Sequence, residues 1–206
     1  MAQGNGSIIK PRLHHWGMRT LKLDEMVDWY SKVCGYEIVL EARQTDVSQD
    51  APPQSAYVSN DEEHHRGGFF KLPMFKDHPE RNFMPGVNHL AFEYDSIDDL
   101  LSSWERLKGD GIEPALCTDH GPTFAFYYKD PENNTVELCC DAWEDASKPR
   151  EIMSSPRMLQ NPMGSQVDPA KLLEARRSGL SLAELHERAM ADEYVPAQPG
   201  NPMVLI

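Results

Sequence analysis

Three things are scarce in this chain: positive charge, cysteine and long apolar runs. Only 20 Lys and Arg stand against 33 Asp and Glu, giving a formal net charge of −13 over 206 residues. A field of that sign repels a phosphate backbone, so nucleic-acid binding is not expected. No stretch approaches the roughly 20 apolar residues that a bilayer crossing requires, so no membrane partner is expected either. The opening segment, MAQGNGSIIKPR, lacks the apolar core of a secretory signal. Cysteine occurs four times, as Cys34, Cys117, Cys139 and Cys140, and never with CxxC spacing. The adjacent Cys139 and Cys140 would point to opposite faces of a strand. These absences lead us to expect a reduced, cytoplasmic protein.

The remaining composition is ordinary for a globular chain, 40% hydrophobic and 26% charged. Its length suits one sizeable domain, or two small modules sharing a core.

An internal repeat decides between these. Displaced by 74 positions, HWGMRTLKLDEMVDWYSKVCG (residues 15–35) lies over HLAFEYDSIDDLLSSWERLKG (residues 89–109) without a gap. His15 falls on His89, Leu23 on Ile97, Asp24 on Asp98, Met26 on Leu100, Val27 on Leu101, Tyr30 on Trp104, Val33 on Leu107 and Gly35 on Gly109. Each copy reads as a strand, a short polar turn, and an amphipathic helix closed by glycine. Strand-like segments follow: residues 37–42, 56–60 and 68–72 in the first copy, and 112–116, 123–129 and 135–141 in the second. KDPENN, from Lys129, has the composition of a hairpin turn. The expected organisation is therefore two βαβββ modules, residues 8–75 and 85–142, together forming one domain.

Residues 144–168 show no period and read as loop. Asp168-Pro169 then opens a helix that Ser178-Gly179 closes, and the SLAE of residues 181–184 is a capping box for another. Residues 144–206 thus read as a loop-and-helix extension that docks on the protein's own modules.

The doublet His14-His15 raises a question of register, since successive strand side chains face opposite ways. In HHWGMR, the bulky Trp16 and Met18 share a face with His14 and suit the helix-packed side. His15 then stands on the other face, and the same alternation places His89 opposite Leu90 and Phe92. Glu137 lies between Val136 and Leu138 in the last strand of the second module. A carboxylate among apolar neighbours is costly unless it is paired or metal-bound. Two imidazoles and one carboxylate make the facial triad suited to non-haem Fe(II), with Mn(II) as an alternative. His15, His89 and Glu137 are the expected metal ligands. GGFFKLP, the corresponding strand of the first module, offers no fourth.

Over residues 10–143 the repeat, the triad and DPENNTVEL are similar to the vicinal oxygen chelate superfamily, which includes glyoxalase I, fosfomycin-resistance proteins, bleomycin-resistance proteins and extradiol dioxygenases. The resemblance implies an α+β fold whose two tandem βαβββ modules form a cup-shaped mixed β-sheet half-barrel, here with a C-terminal helical extension. Within that superfamily the chain resembles a compact one-domain type I extradiol ring-cleavage dioxygenase of the dihydroxybiphenyl type. Members of that type carry a tyrosine ten residues before the glutamate ligand, as Tyr127 stands before Glu137. They carry a catalytic histidine in the last hairpin of the module with the first ligand, which is His65 in EEHHRGGFF. They also carry one in the loop before the tyrosine strand. His120 in DHGPTFAFYY takes that place, two residues closer to the tyrosine than the family spacing. The larger enzymes of the type have four modules and this chain has two.

The implied activity is Fe(II)-dependent cleavage of a catechol-type ring by O2, giving a hydroxymuconic-semialdehyde-type product, with His65, His120 and Tyr127 catalytic. Two other readings stay open: an oxygen-independent metal enzyme of the same scaffold (isomerase, epimerase or thiol transferase), and a non-catalytic small-molecule binding protein. Exposed module edges add the expectation of a homodimer.

Overall fold

A computed structural model describes residues 8–43 and 54–205, so residues 44–53 of the expected first module lie outside the described part. The first unit runs β1 (Trp16–Arg19), α1 (Leu23–Cys34), β2 (Glu37–Ala42), β3 (Gln54–Ser59) and β4 (Gly67–Lys71). The second repeats that order with β5 (His89–Glu93), α2 (Ile97–Gly109), β6 (Leu116–Asp119), β7 (Thr123–Lys129) and β8 (Thr135–Asp141). The C-terminal segment adds α3 (Lys148–Met153), α4 (Pro156–Gln160), β9 (Ser165–Gln166), α5 (Pro169–Arg177) and α6 (Leu182–Met190). The result is an α+β fold with two mixed sheets, ordered β1-β4-β3-β2 and β5-β8-β7-β6-β9. In each sheet the first and last strands of the unit pair in parallel, β1 with β4 and β5 with β8, while the other pairs are antiparallel.

The helices form where the apolar spacing demands. In α1, Leu23, Met26, Val27, Tyr30 and Val33 are buried, and Gly35 ends the helix with φ 69°, its N–H donating to the Ser31 carbonyl. In α2, the Ser96 hydroxyl accepts from the Asp99 N–H, and Leu100, Leu101, Trp104 and Leu107 form the buried stripe. One apolar core joins both helices to the helix-facing sides of both sheets and takes in Leu172, Leu185 and Ala189 of the C-terminal helices. A fully buried leucine such as Leu172 or Leu185 contributes about 1.5–3 kcal/mol through removal from water. No helix among the described residues is long and apolar enough to cross a membrane.

A polar peg ties the units together. In the β7–β8 turn, Glu132 accepts from the Thr20 hydroxyl at 2.8 Å and from the Leu21 N–H at 2.6 Å, at the entrance to α1. Tyr30 of α1 donates its hydroxyl to Asp130 of the same turn at 3.2 Å.

Four sequence expectations require correction. The strand expected over 112–116 is β6 at Leu116–Asp119. After α2 the chain turns through Gly111 at φ 76°, and Pro114, without an N–H, cannot join an inner ladder. The strands expected over 56–60 and 68–72 lie one or two residues earlier, as β3 and β4. Residues 144–168, expected as loop, contain α3, α4 and β9. Neither short helix buries a residue, so no apolar period betrays them. The strand carrying the histidine doublet starts at Trp16, leaving His14 and His15 just before it.

Candidate active site

Strand alternation sorts the side chains. Trp16 and Met18 of β1, and Phe92 of β5, pack against the core, while His15, Gly17, Arg19, His89, Ala91 and Glu93 are exposed. On β8, Val136, Leu138 and Cys140 enter the core. Glu137 turns to the other face and is only 8% exposed there. It is in register with Ala91 on one side and Tyr127 on the other.

That register brings His89 Nε2 within 3.0 Å of Glu137 Oε2. His89 Nδ1 lies 2.7 Å from the Asn88 side-chain oxygen, an acceptor, so Nδ1 carries the proton. Nε2 then faces the carboxylate, and that contact is satisfied by a proton or by a cation held between the two. Two donors each about 2.1 Å from a divalent ion and at right angles stand about 3.0 Å apart. The pair therefore fits adjacent places around one metal, with Asn88 as the outer partner that orients the imidazole. Sequence reading left Asn88 without this role. Its signal was an amide directly before the histidine.

Behind the pair stands Tyr127, the cross-strand partner of Glu137, with its hydroxyl 2.8 Å from His120 Nε2. Burial and the Glu137 charge push the phenol well above its ordinary range, keeping it protonated. His120 follows β6, and its Nδ1 meets the Pro162 carbonyl at 3.2 Å. Burial holds this imidazole below its usual value, with Glu137 and the Pro162 carbonyl opposing. Leu116, Ala125, Met163 and Cys139 pack around Tyr127 and make an apolar wall on this face. All four cysteines are free, and Cys139 and Cys140 do point to opposite sides.

The first unit holds a second group. The His15 and His65 rings are 4.4 Å apart, His64 and His65 4.4 Å, and Tyr57 and His65 5.3 Å. Partial burial, then neighbouring His15, keeps His65 below its ordinary range. His14, expected on the helix-packed side, is instead half-exposed here, 4.9 Å from His64 and 3.4 Å from Glu63. Ladder alternation begins only at Trp16 and does not govern it. The structure thus gathers His89, Glu137, Tyr127 and His120, and separately His15 with His65. Among the described residues no three His, Cys, Asp or Glu side chains converge as a ready metal site.

Two βαβββ sheets, each led by a histidine turned away from its helices, define a paired-module α+β protein. The chain belongs to the Glyoxalase/Bleomycin resistance protein/Dioxygenase superfamily, whose family model matches residues 12–138. Two relatives from Rhodococcus globerulus are similar over nearly their whole length. Biphenyl-2,3-diol 1,2-dioxygenase 2 is 31% identical, covering 95% of this chain and 97% of its own. Biphenyl-2,3-diol 1,2-dioxygenase 3 is 33% identical, covering 89% and 91%. Coverage that extensive includes most of the C-terminal segment. Among solved structures, a glyoxylase/bleomycin resistance protein/dioxygenase domain from Frankia sp. superposes with a TM-score of 0.55 at 17% identity, over 69% of this chain and 99% of that one.

Proposed function

We propose that this protein is an Fe(II)-dependent extradiol dioxygenase, cleaving a catechol-type ring with O2 to a hydroxymuconic-semialdehyde-type product. The observation that carries the reading is Glu137, whose carboxylate meets His89 at 3.0 Å and whose cross-strand partner Tyr127 bonds His120 behind it. Similarity to two biphenyl-2,3-diol dioxygenases supports the same reading. His89 and Glu137 would hold the ion, with His15 as third ligand, the last assigned from the repeat. Bound Fe(II), with Mn(II) as its alternative, supplies the Lewis acidity and the electron that dioxygen chemistry requires.

The remaining roles follow from the side chains. Tyr127, kept protonated by burial, shares its proton with His120 Nε2 and offers its hydroxyl oxygen as acceptor to a hydroxyl of the bound ring. His120 Nε2, beside the Tyr127 hydroxyl, exchanges a proton with that end of the site. His65, held neutral near pH 7, is the base for a substrate hydroxyl proton. The apolar wall at Leu116 and Met163 excludes water from an aromatic ring. We propose cytoplasmic location and a homodimeric assembly, with O2 and a small catechol as the reaction partners.

The test is direct. Protein loaded with Fe(II) under anaerobic conditions is mixed with monocyclic and bicyclic catechols, and air is admitted. Oxygen uptake with a yellow product is expected. No uptake across the panel sinks the proposal, and turnover without oxygen on Mn(II), Ni(II) or Zn(II) would assign the protein to the oxygen-independent enzymes of the same scaffold.

A further inference from the structure

Residues 119–121 are gripped by Trp143 and by the C-terminal segment that follows it. Asp119, fully buried, accepts from the Gly121 N–H at 2.8 Å with Oδ1 and from His186 Nδ1 of α6 at 2.7 Å with Oδ2. The Trp143 indole N–H donates to the Gly121 carbonyl at 2.8 Å. β9 adds its two residues to β6, pairing Gln166 with Thr118 and Ser165 with Asp119. Gly164 lies so close that a Cβ there would stand 1.9 Å from the Asp119 carbonyl oxygen and 2.7 Å from His120 Cα. The Pro162 carbonyl meets His120 Nδ1.

These contacts converge on one imidazole. A carbonyl oxygen only accepts, so Nδ1 of His120 must donate to it and carry the proton. In the neutral ring, Nε2 is then left as an acceptor, 2.8 Å from both the Tyr127 and the Thr118 hydroxyls. The opposite tautomer would leave the Pro162 carbonyl facing a lone pair. We propose that the C-terminal segment is a positioning device for His120: it fixes the Nδ1–H tautomer and aims the Nε2 lone pair at Tyr127. His186 and Asp119 are positioning residues in this scheme, because their buried pair seats the turn that carries His120. Without His186, Oδ2 of a fully buried carboxylate loses its hydrogen-bond donor, and leaving a buried acceptor unsatisfied is costly.

The catalytic consequence rests on the proposed dioxygenase reading, whereas the tautomer does not, and the experiment separates them. The full-length chain, with ¹⁵N-labelled histidine and Zn(II) as a diamagnetic ion, is examined by long-range ¹H–¹⁵N correlation. In the native protein His120 is expected to show a protonated Nδ1 and an unprotonated Nε2. In His186→Phe its signals should move towards the tautomer mixture of free imidazole, with kcat on catechols falling about 10- to 100-fold, the usual range for a lost outer partner, and KM little changed. His186→Gln keeps a donor for Asp119 and should restore both. A native His120 protonated at Nε2 overturns the proposal, as does a folded His186→Phe protein whose His120 signals are unmoved. If Phe at 186 prevents folding, the native tautomer and Gly164→Ala provide the same test. Absence of ring cleavage by the native protein would overturn the dioxygenase reading and leave the tautomer result standing.

Discussion

Gly68 and Glu137 occupy equivalent places in the two sheets. Gly68 pairs with Gly17 across the parallel β1–β4 ladder, and Glu137 pairs with Ala91 across β5–β8, where Gly17 and Ala91 are repeat equivalents. The first unit therefore presents bare backbone where the second presents its carboxylate, and the Phe70 ring fills the space, 3.1 Å from where a Cβ would stand on Gly68. A site built across the repeat has one carboxylate and no second to replace it. This asymmetry makes Glu137 indispensable to metal binding in the proposed enzyme.

Glu137→Gln should accordingly weaken Fe(II) or Mn(II) binding by more than the 10- to 100-fold typical of losing an outer partner. His15→Ala should do the same, although His15 stands with His65 rather than with Glu137 in the present structure. Metal titration of the purified variants reads both effects. Undiminished metal binding in His15→Ala would remove His15 from the ligand set and leave His89 and Glu137 as the protein's contribution.

Tyr127→Phe separates proton handling from metal holding. The variant keeps the ring among Leu116, Ala125 and Met163 but removes the hydroxyl that bonds His120 Nε2. Metal content should be unchanged and kcat should fall roughly 10²-fold or more, the scale of a positioned proton donor. Full turnover in the variant would take Tyr127 out of the reaction path.

Much of this arrangement is legible in the sequence, for reasons tied to particular residues. The gapless overlay of residues 15–35 on 89–109 exposes both helices, because a buried stripe repeats in apolar spacing. Alternation around Glu137 and His89 places both on one face, since ladders enforce a period of two. His14 escapes that logic because it precedes the ladder, and α3 and α4 escape it because they bury nothing. The Asp119–His186 pair, 67 residues apart in the chain, has no local signature at all, since two polar residues on distant elements become partners only through packing.

Gly164 and Gly179 both have positive φ, 66° and 98°, yet a methyl group should have unequal effects at the two positions. At Gly179 nothing lies within 4 Å of the new Cβ, so only backbone strain is felt, about 1 kcal/mol. At Gly164 the Cβ meets backbone of Asp119 and His120, and strain adds to overpacking for about 2–4 kcal/mol. Thermal melts of the two alanine variants should differ by several degrees. Equal Tm values would mean that the β9 segment yields freely and does not grip β6.

Glu132 gives the fold an acid-sensitive joint. Burial raises its carboxyl pKa, but bonds from Thr20, the Leu21 N–H and Arg81 outweigh that and hold it below the ordinary value. A carboxyl depressed in the folded state contributes stability that is present above the unfolded pKa of about 4.3 and is lost as pH falls through the lower folded value. Asp130, pushed upward by burial two residues away, has the opposite sign, so the comparison must hold it constant. Glu132→Gln should be about 1.5–3 kcal/mol less stable than the native chain at pH 7, the worth of hydrogen bonds to a charged group, and that gap should narrow as the pH falls below 4. Urea unfolding at pH 7, 4.5 and 3 measures this. A native-to-variant gap that stays the same from pH 7 to pH 3 would show that Glu132 does not carry the linkage and that the turn docks on α1 through Asp130 and packing alone.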